Sequence, residues 1–254
     1  MSSQVSKYHL PLPAICHMTL DDSLIGDRAI LVIGDVHGCK DELVELLKLA
    51  KEEERDRDIL PIFVGDLLNK GPKSIETMEL LRTMDHFAVR GNHEEAVLNQ
   101  LQNAEEDENY ELPAKYDWIK NLTEEDIEYH KNLPYTISIP SLNAIIVHAG
   151  LVPGIPIEQQ NYTNMICMRN LVPREDGMGY IGREVRDKGE PWASLWPGPQ
   201  HVYFGHDAVR QFQDYPYATG LDTGCLYGYS LTAIFLNGCK RKIEVRAKKV
   251  YRPP

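Results

Sequence analysis

Short apolar runs that end in glycine followed by an acid, an asparagine or a histidine recur along this 254-residue sequence. The first is the run at residues 30–33, after which come Gly34, Asp35, Val36 and His37. A glycine is enough to turn the chain at the end of a strand, so the acid and the histidine need a separate explanation. Because such runs alternate with helical patterns, they favour an α/β fold with a layered, parallel sheet.

The same kind of junction follows five predicted strands. Its polar side chains are Asp35, His37, Asp66, Asn92, His93, His148 and His206. In open α/β sheets the carboxyl ends of strands meet at one crevice, so we expect these side chains to converge there. Each junction alone is better explained by a turn or a structural histidine, but five in this order are not. Oxygen and imidazole donors without thiolate suit Mn²⁺, Fe, Zn²⁺, Co²⁺ or Mg²⁺.

The first half of the chain reads as strands and helices in turn. Apolar runs predict strands at 29–34 and 59–64, and the spacing of leucines predicts an amphipathic helix over 40–54. A proline at the start of a helical pattern predicts a further helix from Pro72 to about Met84. The acidic segment 103–130 is mostly helical in pattern, and we interpret it as a surface insertion.

The second half predicts a β-rich region. Residues 153–200 are rich in Pro, Gly and Trp and predict loops with short helices, and a last strand is expected around 241–247. No linker is evident, so residues 1–254 are expected to form a single domain.

Composition excludes several classes of protein. A net charge of −11 argues against broad binding of duplex nucleic acid. No stretch approaches the ~18 apolar residues of a membrane span, and the first residues lack the pattern of a signal peptide. The five cysteines are scattered without a CxxC pair, which predicts reduced thiols. We therefore expect a cytoplasmic protein, and the sequence leaves its oligomeric state open.

The motifs "GDVHG", "GDLLNKG", "GNHE", "HAG" and "GH" resemble those of the calcineurin-like metallophosphoesterase superfamily, in particular its phosphoprotein-phosphatase-type branch. The resemblance spans residues 30–236. Within the branch, "GDVHGCKDEL", "GDLLNKGPKS", "FGHDAVR" and "LDTGCLYGYSLTAI" are similar to bacterial symmetrical diadenosine tetraphosphatases (ApaH) and to eukaryotic ApaH-like phosphatases. The resemblance implies an α/β fold in which two mixed β-sheets pack as a sandwich flanked by helices.

The resemblance also implies a centre of two divalent metal ions, with Mn²⁺ favoured and Co²⁺, Zn²⁺, Fe or Mg²⁺ as alternatives. By motif position, Asp35 and His37 would hold the first metal, Asp66 would bridge both, and the second would be completed by Asn92, His148 and His206. Two cations held about 3.5–4 Å apart lower the pKa of a shared water, and the hydroxide then attacks phosphorus in line.

Three further residues receive roles from the same resemblance. His93 would be the general acid that protonates the leaving oxygen, and Lys70 would contact phosphate. Arg169, in "CMRNL", loosely matches the region of a second phosphate-binding arginine, with a surface arginine as the alternative. Arg90 is interpreted as structural, and Cys39 as a packed side chain without a catalytic role.

The chain departs from the protein phosphatases of this branch, which carry Asp-Arg-Gly where it has Asn69, Lys70 and Gly71. A neutral asparagine can still accept a hydrogen bond from the catalytic histidine but cannot hold an imidazolium by charge. Lysine is a point charge, whereas arginine offers a two-pronged fork. Both departures suit a substrate with several phosphates better than a phosphoprotein.

The leading hypothesis is a hydrolase of phosphoanhydride bonds that acts on dinucleoside polyphosphates, the cap of messenger RNA or inorganic polyphosphate. The alternative is a phosphoprotein (Ser/Thr) phosphatase. A non-enzymatic metal-binding protein is disfavoured because all six ligands and His93 are present.

Two features stay open at this stage. Trp192 and Trp196 either stack a nucleobase or, as we favour, pack in the core or a loop. The basic run 239–254 either guides RNA or, as we favour, forms a charged edge strand and tail.

Overall fold

The computed structural model describes residues 6–238 and 241–253. Its strands are β1 His17–Thr19, β2 Ala29–Ile33, β3 Ile59–Phe63, β4 Phe87–Ala88, β5 Thr136–Ile139, β6 Ala144–Val147, β7 Asn170–Pro173, β8 Tyr180–Arg183, β9 Glu190–Pro191, β10 His201–Phe204, β11 Gln213–Tyr215, β12 Ala218–Gly220, β13 Ser230–Phe235 and β14 Lys242–Arg246. Its α-helices are α1 Asp22–Ile25, α2 Lys40–Glu53, α3 Ser74–Leu81, α4 Asn92–Glu106, α5 Glu124–Asn132 and α6 Tyr162–Cys167. Short 3₁₀ helices cover Ala114–Asn121, Pro140–Leu142, Ile157–Gln159, Trp192–Leu195 and Cys225–Tyr227.

The first sheet has five strands in the order β14-β13-β2-β3-β4. Strands β2, β3 and β4 are parallel, and β13 and β14 are added in antiparallel orientation. Every residue of β2 is buried, as a strand covered on both faces requires. Leu31 and Ile33 pack beside α2, whereas Ile30 and Val32 belong to the layer between the two large sheets.

The second sheet has six strands in the order β1-β5-β6-β10-β12-β11 and is also mixed. It faces the first sheet through a shared apolar layer, to which Val32 and Ile62 contribute from one side and Ile137 and Ile146 from the other. Helices α2 and α3 cover the outer face of the first sheet, and α6 packs on the outer face of the second. The expected sandwich of two mixed sheets flanked by helices is confirmed.

A third, three-stranded antiparallel sheet, in the order β8-β7-β9, lies in the region that the sequence predicted as loops with short helices. That prediction was wrong for residues 170–191 because, apart from the buried Leu171 of β7, these strands contribute little to a core. The four residues of β8 alternate only between half-buried and exposed, and β9 has two residues. Apolar periodicity, the main signal for a strand, is therefore weak here.

Other expectations need smaller corrections. The third helix begins at Ser74, two residues after Pro72, and ends at Leu81. Within the acidic segment 103–130, α4 ends at Glu106, and a 3₁₀ helix and α5 follow. That this segment is an insertion, and that residues 1–254 form a single domain, remain predictions.

The cysteines and the basic carboxyl-terminal run can be placed in part. Cys16, Cys39, Cys167 and Cys225 are free, and Cys39 is buried; Cys239 lies outside the described residues. Strand β14 is at the edge of its sheet and alternates exposed with buried residues, which agrees with a charged edge strand. In the part of the chain that the structure describes, no helix has the length and apolarity to cross a membrane.

Candidate metal centre

The polar junctions of the sequence lie at the carboxyl ends of parallel strands. Asp35 and His37 follow β2, Asp66 follows β3, Asn92 and His93 begin α4 just after β4, His148 follows β6, and His206 follows β10. The first three strands belong to one sheet and the last two to the other. The site therefore forms where the edges of both sheets meet.

The loops that carry these side chains are held in an uncommon backbone conformation. His37, Asp66, Asn69, Lys70 and His206 have positive φ values of 48°, 50°, 72°, 67° and 68°. Non-glycine residues rarely adopt this left-handed region, and clusters of them mark sites where the surroundings impose the geometry. The strain is concentrated on the residues that the sequence selected.

Asp66 is the centre of the cluster. One carboxylate oxygen, Oδ2, lies 3.5 Å from Nε2 of His37, and the other, Oδ1, lies 3.5 Å from Nε2 of His148. Potential ligand atoms of His37, Asp66 and His93 lie within 4.8 Å of one another, and so do those of Asp66, His148 and His206. Asp66 belongs to both groups, as a bridging ligand must.

Asn92 completes the second group. Its Oδ1 lies 3.0 Å from Nε2 of His148 and 2.9 Å from Nδ1 of His206. Asp35 lies beside the cluster, where its carboxylate accepts the backbone N–H of His206 at 3.1 Å. The first group contains His93 where the resemblance implied Asp35. A side chain on Gly205 would overlap the Asp35 carboxylate, which explains the glycine.

Each candidate histidine ligand offers one nitrogen to the cluster and bonds a backbone carbonyl with the other. Nδ1 of His37 faces the carbonyl of Leu68 at 3.3 Å, and Nδ1 of His148 faces that of Val64 at 2.8 Å. Nε2 of His206 faces the carbonyl of Cys167 at 3.0 Å. Such outer contacts fix the tautomer and the orientation of metal-ligating imidazoles.

The pKa shifts of the buried side chains are also compatible with a bound cation at this site. Burial raises the pKa of Asp66 to about 6. Burial, followed by the charges of Asp222 and Asp66, raises the pKa of Asp35. Burial lowers the pKa of His148 to about 4 and holds the pKa of His206 well below its usual value. A bound divalent cation favours ionised carboxylate and neutral imidazole, so the donor set fits divalent metal ions.

His93, expected to be the general acid, sits in the first turn of α4 with its backbone N–H bonded to Oδ1 of Asp66 at 2.9 Å. Its ring meets that of His37 edge to face, with centroids 4.9 Å apart. Nδ1 of His93 is 2.9 Å from Nδ2 of Asn69, whose Oδ1 accepts the backbone N–H of Lys70 at 2.9 Å. The asparagine thus contacts the catalytic candidate as expected, but it presents its amide nitrogen to the ring where the sequence analysis expected an acceptor.

Basic side chains surround the same centre. Arg169 bonds the carbonyl of His206 at 3.3 Å and lies 3.8 Å from the carboxylate of Asp207. Arg186 donates to that carboxylate at 3.0 Å, and Arg210 also pairs with it. Three guanidinium groups share one carboxylate, so the group carries an excess of positive charge.

A cavity of about 530 Å³ opens over the cluster. It is lined by His37, Asp66, Lys70, Asn92, His93, Arg169, Arg186, His206, Ala208, Val209, Gln211, Asp222, Tyr227 and Tyr229. Lys70 and Arg169, both selected from the sequence, therefore face the same space as the candidate ligands. Arg186 lies outside the recognised motifs, whereas Tyr227 and Tyr229 lie within "LDTGCLYGYSLTAI", from which the resemblance implied no role for either side chain.

Other residues take the structural roles expected for them. Arg90 is fully buried, where it donates to the carbonyls of His130 and Lys131 and lies 3.6 Å from Glu95. Trp192 is buried against Phe204. Neither Trp192 nor Trp196 is among the described residues that line the cavity.

Glu94 is the last residue of the motif "GNHE", and the sequence analysis predicted no role for it. Its carboxylate accepts the backbone N–H groups of Asp66 at 2.8 Å, Leu67 at 2.9 Å and Gly91 at 2.9 Å. Burial, followed by the charge of Asp66, raises its pKa to about 7. Glu94 thus fastens the loop that presents Asp66 to the beginning of α4.

Comparison with known proteins identifies the family of this chain. The calcineurin-like phosphoesterase family matches residues 28–223. A symmetrical bis(5'-nucleosyl)-tetraphosphatase of Coxiella burnetii is 30% identical over 279 aligned positions, covering 89% of this chain and 94% of the relative. The asymmetrical bis(5'-nucleosyl)-tetraphosphatase PrpE of Oceanobacillus iheyensis is 27% identical over 222, covering 80% and 86%.

A solved structure described as a putative diadenosine tetraphosphatase is 32% identical, with a TM-score of 0.79, and covers 92% of this chain and 98% of its own. The chain belongs to the calcineurin-like phosphoesterase family. It is accordingly a hydrolase whose family uses divalent metal ions.

Proposed function

We propose that this protein hydrolyses phosphoanhydride bonds in dinucleoside polyphosphates and related nucleotide-bearing polyphosphates. The observation that carries the proposal is one cavity in which Asp66 belongs to two groups of metal-ligand side chains and Lys70, Arg169 and Arg186 add positive charge. The relatives whose names refer to bis(5'-nucleosyl)-tetraphosphates support the choice of substrate.

The residues proposed to hold two divalent cations are Asp35, His37, Asp66, Asn92, His148 and His206, with Mn²⁺ as the favoured metal. When bound, the cations supply activation of water and stabilisation of charge on phosphate oxygens. Asp66 would contribute to both sites through its two oxygens. Asp35 would join the first site by turning from its contact with the backbone of His206.

His93 would donate a proton to the oxygen that leaves phosphorus. The ring acts as an acid in its imidazolium form, and because Nδ1 faces the side-chain amide of Asn69, Nε2 is the nitrogen left to deliver the proton. The ring lines the cavity next to His37 and Asp66. This is the place that a general acid for a phosphate at the metal centre must occupy.

The number of positive side chains favours a substrate with several phosphates. A single transferred phosphoryl group is stabilised by the cations and one or two basic residues. Lys70, Arg169 and Arg186 together offer more positive charge than one phosphate requires. A chain of phosphates would meet the additional guanidinium of Arg186, which belongs to the loop between β8 and β9.

A competition experiment tests the proposal. Metal-loaded enzyme receives diadenosine tetraphosphate, capped RNA, inorganic polyphosphate and a phosphoserine peptide in one mixture, and chromatography resolves the products. We expect cleavage of the anhydrides and much slower release of phosphate from the peptide. A preference for the phosphopeptide would contradict the proposal and favour a phosphoprotein phosphatase.

Arg186→Ala tests the role of the additional charge. Losing a hydrogen bond to a charged group costs about 1.5–3 kcal/mol, so the KM for diadenosine tetraphosphate should rise about tenfold or more. The effect on the phosphopeptide should be small. Arg183→Ala is the matched control, because Arg183 is exposed on β8 and does not line the cavity.

A further inference from the structure

One part of the cavity wall is apolar and aromatic although the rest is charged. It consists of Ala208, Val209, Tyr227 and Tyr229, and the polar amide of Gln211 lies among them. Val209 is 67% exposed and Tyr229 is 47% exposed. The methyl groups of Ala208 and Val209 and the faces of the tyrosine rings offer phosphate neither charge nor a hydrogen bond, so these surfaces suit another part of the substrate within the same cavity.

The rings of Tyr227 and Tyr229 lie close to the backbone of Gly224. A Cβ built on Gly224 would lie 3.1 Å from Cδ2 of Tyr229, 3.3 Å from Nε2 of Gln211 and 3.5 Å from Cδ2 of Tyr227. The three side chains therefore converge on this glycine, which has a φ of +68°.

The backbone of Tyr229 is bonded on both sides. Its N–H donates to the carbonyl of Gly224 at 3.2 Å, and its carbonyl accepts the N–H of Ala247 at 2.8 Å. Gly228, just before it, has a φ of +89° and packs against Val250. The exposed ring thus projects from a backbone that is already ordered. Binding of a ligand to this ring therefore costs little entropy for ordering the protein.

The apolar wall begins close to the metal centre. Val209 follows the candidate ligand His206 by three residues, which span at most about 11 Å of extended chain. Tyr227 and Tyr229 follow Asp222, which also lines the cavity. A ligand with its phosphates at the cations can therefore extend along this wall.

We propose that Tyr229, together with Val209 and Tyr227, forms a subsite for one nucleobase of the substrate. This inference rests on the proposed function and narrows it, because it selects polyphosphates that carry a nucleoside over the bare inorganic chain. Stacking of a base on an aromatic side chain is worth about 1–3 kcal/mol, and every base offers a π face. We expect the subsite to favour substrates with a nucleobase over substrates without one, and not to distinguish one nucleobase from another.

Replacing the ring tests the subsite. Tyr229→Ala should raise the KM for diadenosine tetraphosphate about tenfold and leave kcat within about twofold, whereas kcat and KM for inorganic tripolyphosphate should not change. Tyr229→Phe keeps the ring and should behave as the wild type. The matched control is Tyr217→Ala, because Tyr217 is 42% exposed and does not line the cavity.

A binding measurement separates failure of this subsite from failure of the proposed function. Calorimetry on the metal-loaded protein would compare ADP with pyrophosphate, which differ by the nucleoside. About tenfold weaker binding of ADP to Tyr229→Ala, with unchanged binding of pyrophosphate, would support the subsite whatever the preferred substrate. Equal effects on both ligands, or no effect on ADP, would overturn it.

Discussion

Asn69 determines which nitrogen of His93 carries a proton. Its Oδ1 is occupied by the backbone N–H of Lys70 at 2.9 Å, so its amide nitrogen must face Nδ1 of His93. Nδ1 then accepts a hydrogen bond, and the proton of the neutral ring sits on Nε2. The residue acts through the histidine and is therefore a positioning residue.

Asn69→Ala should lower kcat for diadenosine tetraphosphate about tenfold, a part of the roughly 10²–10⁴-fold that a general acid contributes. KM and the amount of bound metal should change little because neither phosphate nor cation is expected to touch Asn69. Asn69→Asp cannot donate to Nδ1, but its carboxylate accepts from Nδ1–H of the imidazolium form, so this variant should retain more activity than Asn69→Ala. Loss of metal from Asn69→Ala would show that its role is structural.

At the scale of residues, motif positions identified most of the site and geometry supplied the rest. Gly-Asp and Gly-Asn junctions after apolar runs pointed to Asp66 and Asn92, which the structure brings together with His148 and His206. Arg186 could not be selected because an arginine in a loop has no periodicity or spacing of its own. Tyr229 lies within the quoted "LDTGCLYGYSLTAI", but the motif alone does not show that its ring faces the cavity. Their position depends on how two distant loops fold over one cavity.

At the scale of elements, α4 and the loop after β3 behave as one unit. Glu94 receives three backbone N–H groups, two from that loop and one from Gly91 at the beginning of the helix. The bond from Gly91 is the half of a capping box in which the side chain at the third helical position accepts the N–H of the N-cap residue. One side chain thus orders both the helix start that bears Asn92 and the loop that bears Asp66.

Glu94→Gln should lower the free energy of unfolding by about 3 kcal/mol, since a buried N–H left without an acceptor costs about 1–3 kcal/mol. Glutamine has one acceptor oxygen where the carboxylate has two. Urea denaturation of the metal-loaded protein measures this change in the free energy of unfolding. Glu105→Gln, on an exposed position of the same helix, should be neutral, and equal effects of the two substitutions would contradict this role of Glu94.

The elements that the sequence predicted well are those with continuous apolar burial. Strand β2 is wholly buried, and α2 has a clear apolar face. Strand β8 alternates half-buried Tyr180 with exposed Ile181, so its pattern is the reverse of a core strand. Its strand conformation comes from pairing with β7, a long-range contact that local sequence does not encode.

At the scale of the whole molecule, His130 links stability to pH. It is buried in α5, neither ring nitrogen has a hydrogen-bonding partner among the described residues, and burial lowers its pKa to about 4. An unfolded histidine titrates near 6.5. Between these values the unfolded state binds more protons than the folded state, so stability falls as the pH is lowered from about 6.5 to 4.

His130→Leu should remove this contribution. Over that pH range the wild type should lose up to about 3 kcal/mol more stability than the variant, since one pKa unit corresponds to about 1.4 kcal/mol. Urea denaturation at several pH values, with metal present, measures the difference. Parallel pH profiles for the two proteins would show that His130 is not the group responsible.

The arrangement of the sheets also belongs to this scale. Alternating apolar runs predicted parallel strands, but β13 and β14 extend that sheet in antiparallel orientation, and His148 and His206 come from the second sheet. The strand ends meet only because Ile30, Ile62 and Ile146 pack the sheets face to face. The resemblance implied this sandwich, which the sequence pattern alone did not define.

The bridging function of Asp66 is the central claim, and a metal titration tests it most directly. Metal-free protein would receive Mn²⁺ in steps while bound metal and hydrolysis of diadenosine tetraphosphate are followed, with exposed Asp214→Asn as the control. We expect two equivalents to bind, activity to require the second, and Asp66→Asn to lose about a thousandfold in kcat. Full activity with one equivalent, or wild-type turnover by Asp66→Asn, would contradict the account.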